Sequence, residues 1–294
     1  MVKFGIALGG GGAKGLAHIG VLEVLEENSL KPSFVAGTSM GAVVGAIYCL
    51  DGSAQKLRAK AQQMIESKEF EKFGLRKFYT KSGNVFERFK REVFEKIYFG
   101  ELFFKKSYFK DEATRKLFFE LFGGAEFSDL KIPFACNAVD IRSAQEVLFT
   151  KGRLLDAVWA SCAIPGIFPP YVKKEKVLVD GGVVNNIPVE PVKLLGADVV
   201  LAVYLGGPPG PGDELNTGFR INQRSLAIMK YQLDKRILAQ ADFVLRPEVM
   251  DFHWADFSAL DELVQCGREA AQVHLKEIKK LLSLWHYFKK KILH

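Results

Sequence analysis

The sequence predicts an α/β fold built on a mostly parallel central sheet, in a single domain that spans residues 1–294. Two observations near the start of the chain favour this class: short apolar runs lead through glycine-rich turns into apolar helical segments, and this strand–helix order occurs twice in succession. A third observation is size, because 294 residues of which 48% are hydrophobic can bury a large core.

The first strand–helix unit covers the first 25 residues. Residues 1–8 are apolar with little alternation, which is typical of a buried parallel strand. A glycine-rich turn at Gly9–Gly15 follows, and the apolar residues from Leu16 to Leu25 recur with helical spacing. His18 lies on this helix, and we expect it to be a packed core histidine.

The second unit carries a possible nucleophile. Phe34–Ala36 is predicted to be a short buried strand and Ala42–Leu50 an apolar helix. Gly37, Ser39 and Gly41 between them form a G-x-S-x-G, the strand–turn–helix context of a nucleophile elbow. The glycines would leave room where strand and helix pass closely, although an ordinary helix N-cap serine fits the same five residues.

The remaining elements continue the α/β pattern. We expect an antiparallel strand pair at Ile132–Asp140 and Gln145–Thr150. The other predicted elements are helices at Gln55–Ser67, Leu154–Ser161, Ile221–Ala241 and Ala259–Leu284, and strands at Lys176–Val179, Asp198–Leu205 and Asp242–Arg246.

A segment rich in phenylalanine and lysine interrupts this pattern at about residues 69–127. Asn84–Tyr98 and Asp111–Phe122 are predicted to be helices within it. The minimum interpretation is a helical insertion with an aromatic core. The sharper one is a lid or acyl-chain cap over an active site, with lysines at its rim.

The glycine run contains a G-x-G-x-x-G that allows three interpretations. A dinucleotide site lacks its acidic ribose anchor, because the second strand ends in Ala36-Gly37, and a P-loop would need other residues at Ala13 and Gly15. The third interpretation is an oxyanion hole beside Ser39, since turns after consecutive strands lie at one sheet edge. Its candidate residues are Gly10, Gly11, Gly12, Ala13, Lys14 and Gly15.

A serine nucleophile needs a base, and the sequence offers two. Asp180 ends an apolar strand and is followed by two glycines, although a plain Asp-Gly turn is also compatible with this pattern. His253 follows Asp180 in the chain, so a Ser-Asp-His triad is formally available, but His253 has no clear strand-end context.

Taken together and in this order, these motifs resemble the patatin-like phospholipase family. The resemblance rests on Gly10–Gly15, Gly37–Gly41 and Asp180–Gly182, and it extends to Ala160–Pro170 and Val179–Pro188, which are similar to the bacterial and neuropathy-target-esterase-like branch. It covers roughly residues 2–202 apart from the insertion.

The resemblance implies a three-layer fold and a Ser–Asp dyad, with Ser39 as nucleophile, Asp180 as general base and no histidine. It also implies that the glycine loop forms the oxyanion hole and that the substrates are fatty-acyl esters of lysophospholipids or phospholipids. Lys14 replaces the arginine often found in the family, and the insertion matches nothing that would identify the lipid.

Two other functions remain open. An ordinary Ser-Asp-His α/β-hydrolase is disfavoured, because its elbow normally follows several strands and here it follows the second. A catalytically silent lipid- or acyl-binding module would use the same pocket.

Charge and cysteine content bound the partners. The net charge of +7 suits an anionic surface, and we find no nucleic-acid-binding motif. The four cysteines form no C-x-x-C pair, so we expect no metal, no cofactor and a cytoplasmic location. A basic amphipathic helix at about residues 259–294 would reach the inner face of a membrane, pack on the domain or form a dimer contact; the oligomeric state is open.

Overall fold

The computed structural model describes residues 2–75, 104–210 and 215–292, and of residues 284–292 it describes only the backbone. Its strands form one sheet of eight strands among these residues. They are β1 (Phe4–Leu8), β2 (Phe34–Gly37), β3 (Phe134–Asp140), β4 (Gln145–Phe149), β5 (Tyr171–Lys173), β6 (Lys176–Asp180), β7 (Val199–Val203) and β8 (Phe243–Leu245).

The sheet has the order β5-β6-β3-β2-β1-β7-β8, and β4 also pairs with β3. The strands from β3 to β8 in this order pair in parallel, whereas the pairs β3–β4, β3–β6 and β5–β6 are antiparallel. The mostly parallel sheet and the antiparallel pair β3–β4 confirm the sequence prediction. The short strand β5 was not predicted, because it holds only three residues and two of them are exposed.

Helices cover both faces of the sheet, which gives the three layers. Alternate strand residues enter two separate cores: Ile6 and Leu8 of β1 belong to one, and Ala7 between them belongs to the other. The helices are α1 (Ala17–Glu27), α2 (Met40–Asp51), α3 (Ala54–Glu66), α4 (Lys68–Phe73), α5 (Asp111–Phe122), α6 (Leu154–Cys162), α7 (Val189–Leu194), α8 (Gly218–Leu238), α9 (Leu260–Val273) and α10 (Leu275–Ile292).

The described parts of the insertion pack on the larger core. Phe73 at the end of α4 stacks on Phe109 with a ring separation of 4.1 Å, and Phe118 of α5 stacks on Trp159 of α6. The predicted helix at Asp111–Phe122 is confirmed. The helix expected at Asn84–Tyr98 lies outside the described residues.

The single C-terminal helix expected at Ala259–Leu284 is wrong, because the chain turns at His274 between α9 and α10. His274 directly precedes the second helix, and its Nδ1 lies 2.8 Å from Glu277 Oε2 in the first turn of that helix. The turn lets Ile278 reach the core, where it is buried, and brings Lys279 Nζ within 2.9 Å of Asn28 Oδ1. Among the described residues, no helix combines the length and apolarity needed to cross a bilayer.

Helices α1 and α9 cross at two glycines that set their separation. A Cβ atom on Gly267 would lie 1.8 Å from the carbonyl oxygen of Ala17, and one on Gly20 would lie 1.9 Å from that of Val264. Since these obstacles are backbone atoms, the helices would have to move apart to accept any side chain.

We therefore expect Gly267→Ala to lower the free energy of unfolding by about 2 kcal/mol or more, because overpacking outweighs the gain of roughly 1 kcal/mol in helix propensity. Urea denaturation measures this. Gly124→Ala is the control, since its Cβ would meet no atom within 4 Å. Equal midpoints for the two variants would contradict the close crossing.

Candidate active site

Ser39 occupies a strained turn between β2 and α2. Its backbone has φ 55° and ψ −125°, a conformation that non-glycine residues rarely adopt. A Cβ on Gly37 would lie 2.2 Å from the carbonyl oxygen of Gly41, and one on Gly41 would lie 2.1 Å from that of Leu8. Both glycines are therefore required by close backbone contact, as expected for an elbow.

The register of β3 brings Asp180 to this turn. Strand β4 pairs with β3 from Cys136 to Asp140 and so fills one edge of that strand. Strands β2 and β6 must then share the other edge, where Gly37 pairs with Cys136 and Asp180 pairs with Ala138. The carboxyl ends of β2 and β6 consequently converge.

Ser39 lies close enough to the Asp180 carboxylate for its hydroxyl to lower the pKa of that group by hydrogen bonding. Both residues are buried, and Asp180 Oδ1 also accepts the amide of Gly182 at 2.7 Å. Burial raises the pKa of Asp180 to about 6, while the bonds from Ser39 and Gly182 and the charge of Lys230 partly oppose the rise. Such a carboxylate is ionised at neutral pH and is a stronger base than an exposed aspartate.

The glycine loop lies beside this pair. Leu8 at the end of β1 pairs with Gly37 at the end of β2, so the two turns are neighbours as expected. A Cβ on Gly10 would lie 3.1 Å from Ser39 Cβ, and one on Gly15 would lie 2.3 Å from Met40 Cγ.

Two of the six candidate oxyanion residues already donate their amides within the protein. The Gly10 amide donates to the Asn186 carbonyl at 3.0 Å, and the Ala13 amide donates to the Trp254 carbonyl at 2.7 Å. Lys14 and Gly15 lie within a short 3-10 helix, Gly12–Leu16, and Lys14 Nζ donates to the Met250 carbonyl at 3.3 Å. Within the described part of the chain, no bond occupies the Gly11 amide, and the Gly12 amide opens the 3-10 helix.

A polar network that the sequence analysis missed holds the turns in place. Ser161 Oγ accepts the Ser39 amide at 3.0 Å, and Thr38 Oγ1 donates to Asn137 Oδ1 at 2.8 Å. Asn137 Nδ2 donates in turn to the Asn185 carbonyl at 2.9 Å. The available signal was the presence of polar residues inside otherwise apolar motif segments.

His253 and His18 do not take part in this arrangement as a triad would require. His253 Nδ1 accepts the Ala255 amide at 3.2 Å, so its neutral ring carries the proton on Nε2, the atom that would have to accept the serine proton. His18 is fully buried with Nε2 at 2.8 Å from the Gly9 carbonyl, and burial lowers its pKa to about 4. The prediction that His18 packs in the core is confirmed.

An apolar cavity opens against Ser39 and Gly12. Its walls come from α2, α3, the loop around Trp254 and the described parts of the insertion. The insertion residues in the wall are Phe70, Leu75, Leu117, Phe118 and Leu121.

Comparisons with known proteins identify the family of this chain. The chain matches the patatin-like phospholipase family over residues 6–193. It is 27% identical over 305 residues to a lysophospholipase of Emericella nidulans and 28% identical over 300 residues to one of Coccidioides immitis, with 95% and 94% of this chain covered. In both comparisons the chain spans only 18% of the relative's length.

A solved structure supports the fold. Human GIVD cytosolic phospholipase A2 in complex with methyl gamma-linolenyl fluorophosphonate superimposes with a TM-score of 0.51 at 13% identity, covering 97% of this chain and 59% of that one. The family match covers well over half of the chain, and the fold is the same. This chain therefore belongs to the patatin-like phospholipase family.

Proposed function

We propose that the protein hydrolyses fatty-acyl ester bonds of lysophospholipids or phospholipids through an acyl-enzyme on Ser39. The observation that carries the proposal is the position of Ser39, which lies in the wall of an apolar cavity and close enough to the buried Asp180 carboxylate to lower its pKa. The names of the fungal relatives, both lysophospholipases, support the same substrate class.

In the proposed reaction, Asp180 takes the proton of the Ser39 hydroxyl as Oγ attacks the ester carbonyl carbon. The amides of Gly11 and Gly12 stabilise the negative charge on the carbonyl oxygen. Collapse of the tetrahedral intermediate breaks the ester C–O bond, and Asp180 returns the proton to the leaving alcohol. A water molecule, deprotonated by Asp180, then releases the fatty acid and restores Ser39.

The cavity is the proposed site of the acyl chain. Its walls are apolar, as is typical of ligand pockets, and it opens at the proposed nucleophile. Since Phe70, Leu117 and Phe118 lie in the wall, we propose that the insertion serves as the acyl-chain cap.

The two alternative functions make different demands on the residues. A Ser-Asp-His hydrolase would need His253 to accept the serine proton, and the hydrogen bond at its Nδ1 disfavours the required tautomer. A silent acyl-binding module would use the cavity without any need for a base beside Ser39.

The first prediction concerns the dyad. We expect Ser39→Ala and Asp180→Asn each to reduce kcat/KM on a short-chain p-nitrophenyl ester by about 10³-fold or more. Ser39→Ala removes the proposed nucleophile, and Asp180→Asn removes the proposed proton acceptor. His253→Ala should stay within about threefold of wild type.

Asp261→Asn is the matched control for the carboxylate change, because Asp261 is exposed and lies on α9. Circular dichroism verifies the fold of each variant. A wild type with no turnover on any acyl ester would favour the binding module, and loss of activity in His253→Ala as well as in Ser39→Ala would favour the triad.

The second prediction concerns pH. The general base acts as a carboxylate, so kcat/KM should fall about tenfold per pH unit below the Asp180 pKa of about 6 and be constant above it. Rates at the isosbestic wavelength of p-nitrophenol give the profile. An inflection near pH 4 would show that Asp180 behaves as an exposed aspartate and would contradict the proposed environment.

The third prediction concerns the C-terminal helix. The first half of α10 packs on the domain through Ile278 and Leu282. Within this helix we therefore propose peripheral membrane contact for the segment after Ser283, which is rich in lysine and aromatic residues. Deleting residues 284–294 should weaken vesicle binding while p-nitrophenyl ester hydrolysis is kept. Unchanged vesicle partitioning would eliminate this contact.

A further inference from the structure

Helix α8 lies on the surface with an unusual amount of apolar area exposed. Of its 21 residues only Asp234 and Leu238 are buried. Leu226 is 51% exposed and Met229 is 65% exposed. We define the α8 face as the six exposed apolar side chains of this helix: Phe219, Ile221, Leu226, Ile228, Met229 and Leu233.

The spacing of these residues places them on the outward half of the helix. At about 100° per residue, Met229 points nearly opposite to the direction of Asp234 and Leu238, which face the domain. Phe219, Leu226 and Leu233 recur every seven residues along one flank, and Ile221 and Ile228 do so along the other. The α8 face thus lies on one half of the helix, where Asn222, Ser225, Gln232 and Arg236 stand among its apolar side chains.

The charged side chains of this helix are almost all positive. The helix carries five basic residues and one acid, and the acid is Asp234, which is buried and paired with Lys230 at 2.9 Å. The basic residues are Arg220, Arg224, Lys230, Lys235 and Arg236. Two copies of α8 placed face to face would repel one another, whereas an anionic surface would attract the helix.

The helix begins near the edge of the sheet that carries the active site. Strand β7 runs parallel to β1 and ends level with it, at the pair Leu8–Val203. Arg224 Nη1 of α8 donates to the Gly210 carbonyl at 2.6 Å in the loop that follows β7.

The exposed Met250 lies against Gly207 of that loop, and its backbone carbonyl accepts a hydrogen bond from Lys14 Nζ of the glycine loop. Met250 therefore connects the loop that leads to α8 with the glycine loop beside Ser39.

We propose that the α8 face docks the protein on an anionic phospholipid bilayer. The apolar side chains enter the boundary between headgroups and acyl chains, and the basic residues lie at the level of the lipid phosphates. The idea rests on the proposed function only in that the bilayer would hold the substrate. Docking through α8 brings the edge of the sheet with Ser39 to the lipid surface.

The test measures binding without turnover. In the full-length Ser39→Ala background, flotation compares vesicles of phosphatidylcholine with vesicles that also contain phosphatidylglycerol. We expect the parent to prefer the anionic vesicles and Leu226→Gln/Met229→Gln to bind them about tenfold or more weakly, because two apolar side chains no longer insert. Lys235→Glu/Arg236→Glu should remove the preference for anionic lipid.

The matched control is Ile141→Gln/Val172→Gln, which changes two exposed apolar residues near β5 and β6, at the opposite side of the sheet from β7 and β8. This control should bind like the parent. Equal binding by the Leu226/Met229 variant and the parent would overturn the proposal, as would an equal loss in the control. Sedimentation velocity tests the alternative partner. A parent that is dimeric and a Leu226/Met229 variant that is monomeric, with vesicle binding unchanged, would identify a second copy as the partner instead.

This result is separate from the test of hydrolysis. The same α8 substitutions placed on wild-type Ser39 should leave p-nitrophenyl ester turnover unchanged and reduce turnover of vesicle lipid. If the protein shows no turnover but binds vesicles through α8, only the proposed function is contradicted. If the enzyme is active and these substitutions leave its turnover of vesicle lipid unchanged, only the docking proposal is contradicted.

Discussion

The convergence of two strand ends on one edge of β3 is the constraint on which the rest of the site depends. Gly37 pairs with Cys136 and Asp180 pairs with Ala138, so the chain beyond β2 and the chain beyond β6 meet over Asn137. Asn137 occupies this gap by bonding Thr38 Oγ1 and the Asn185 carbonyl. The position of the Ser39 hydroxyl relative to the carboxylate is therefore fixed by sheet register and by a buried polar side chain rather than by a flexible loop.

This arrangement has a cost in stability. Asp180 is an acid whose pKa is raised on folding from 3.8 to about 6, so the folded state favours its protonated form. As pH rises through this interval, Asp180 ionises and the free energy of unfolding falls. At neutral pH the buried charge lowers that free energy by about 3 kcal/mol. The hydrogen bonds from Ser39 and Gly182 reduce the cost without removing it. The same desolvation raises the basicity of the carboxylate, so the burial that destabilises the fold also makes Asp180 a better proton acceptor.

The two faces of the sheet differ in what they bury. One face carries the larger core, which includes α4 and α5 of the insertion and surrounds the apolar cavity at Ser39. The other face is covered by α7 and by the end of α8, and its core is small. Because α8 contributes little to that core, most of its apolar side chains stay in contact with solvent. Both features reach the same edge of the sheet, where the carboxyl ends of β1, β2 and β7 lie together.

The sequence alone determined the features that depend on local chemistry: the α/β class, the elbow at Ser39 and the neighbourhood of the glycine loop. Turn glycines and strand–helix order express themselves within a few residues, and consecutive parallel strands place their turns together. Only the tertiary structure decided which groups are available. The carbonyls of Trp254 and Asn186, which are distant in the chain, accept the amides of Ala13 and Gly10. The C-terminal helix is interrupted at His274, and Ile278 is buried beyond the turn. Most apolar residues of α8 remain exposed. Hydrogen-bond partners and burial are set by contacts between segments far apart in sequence, which periodicity does not encode.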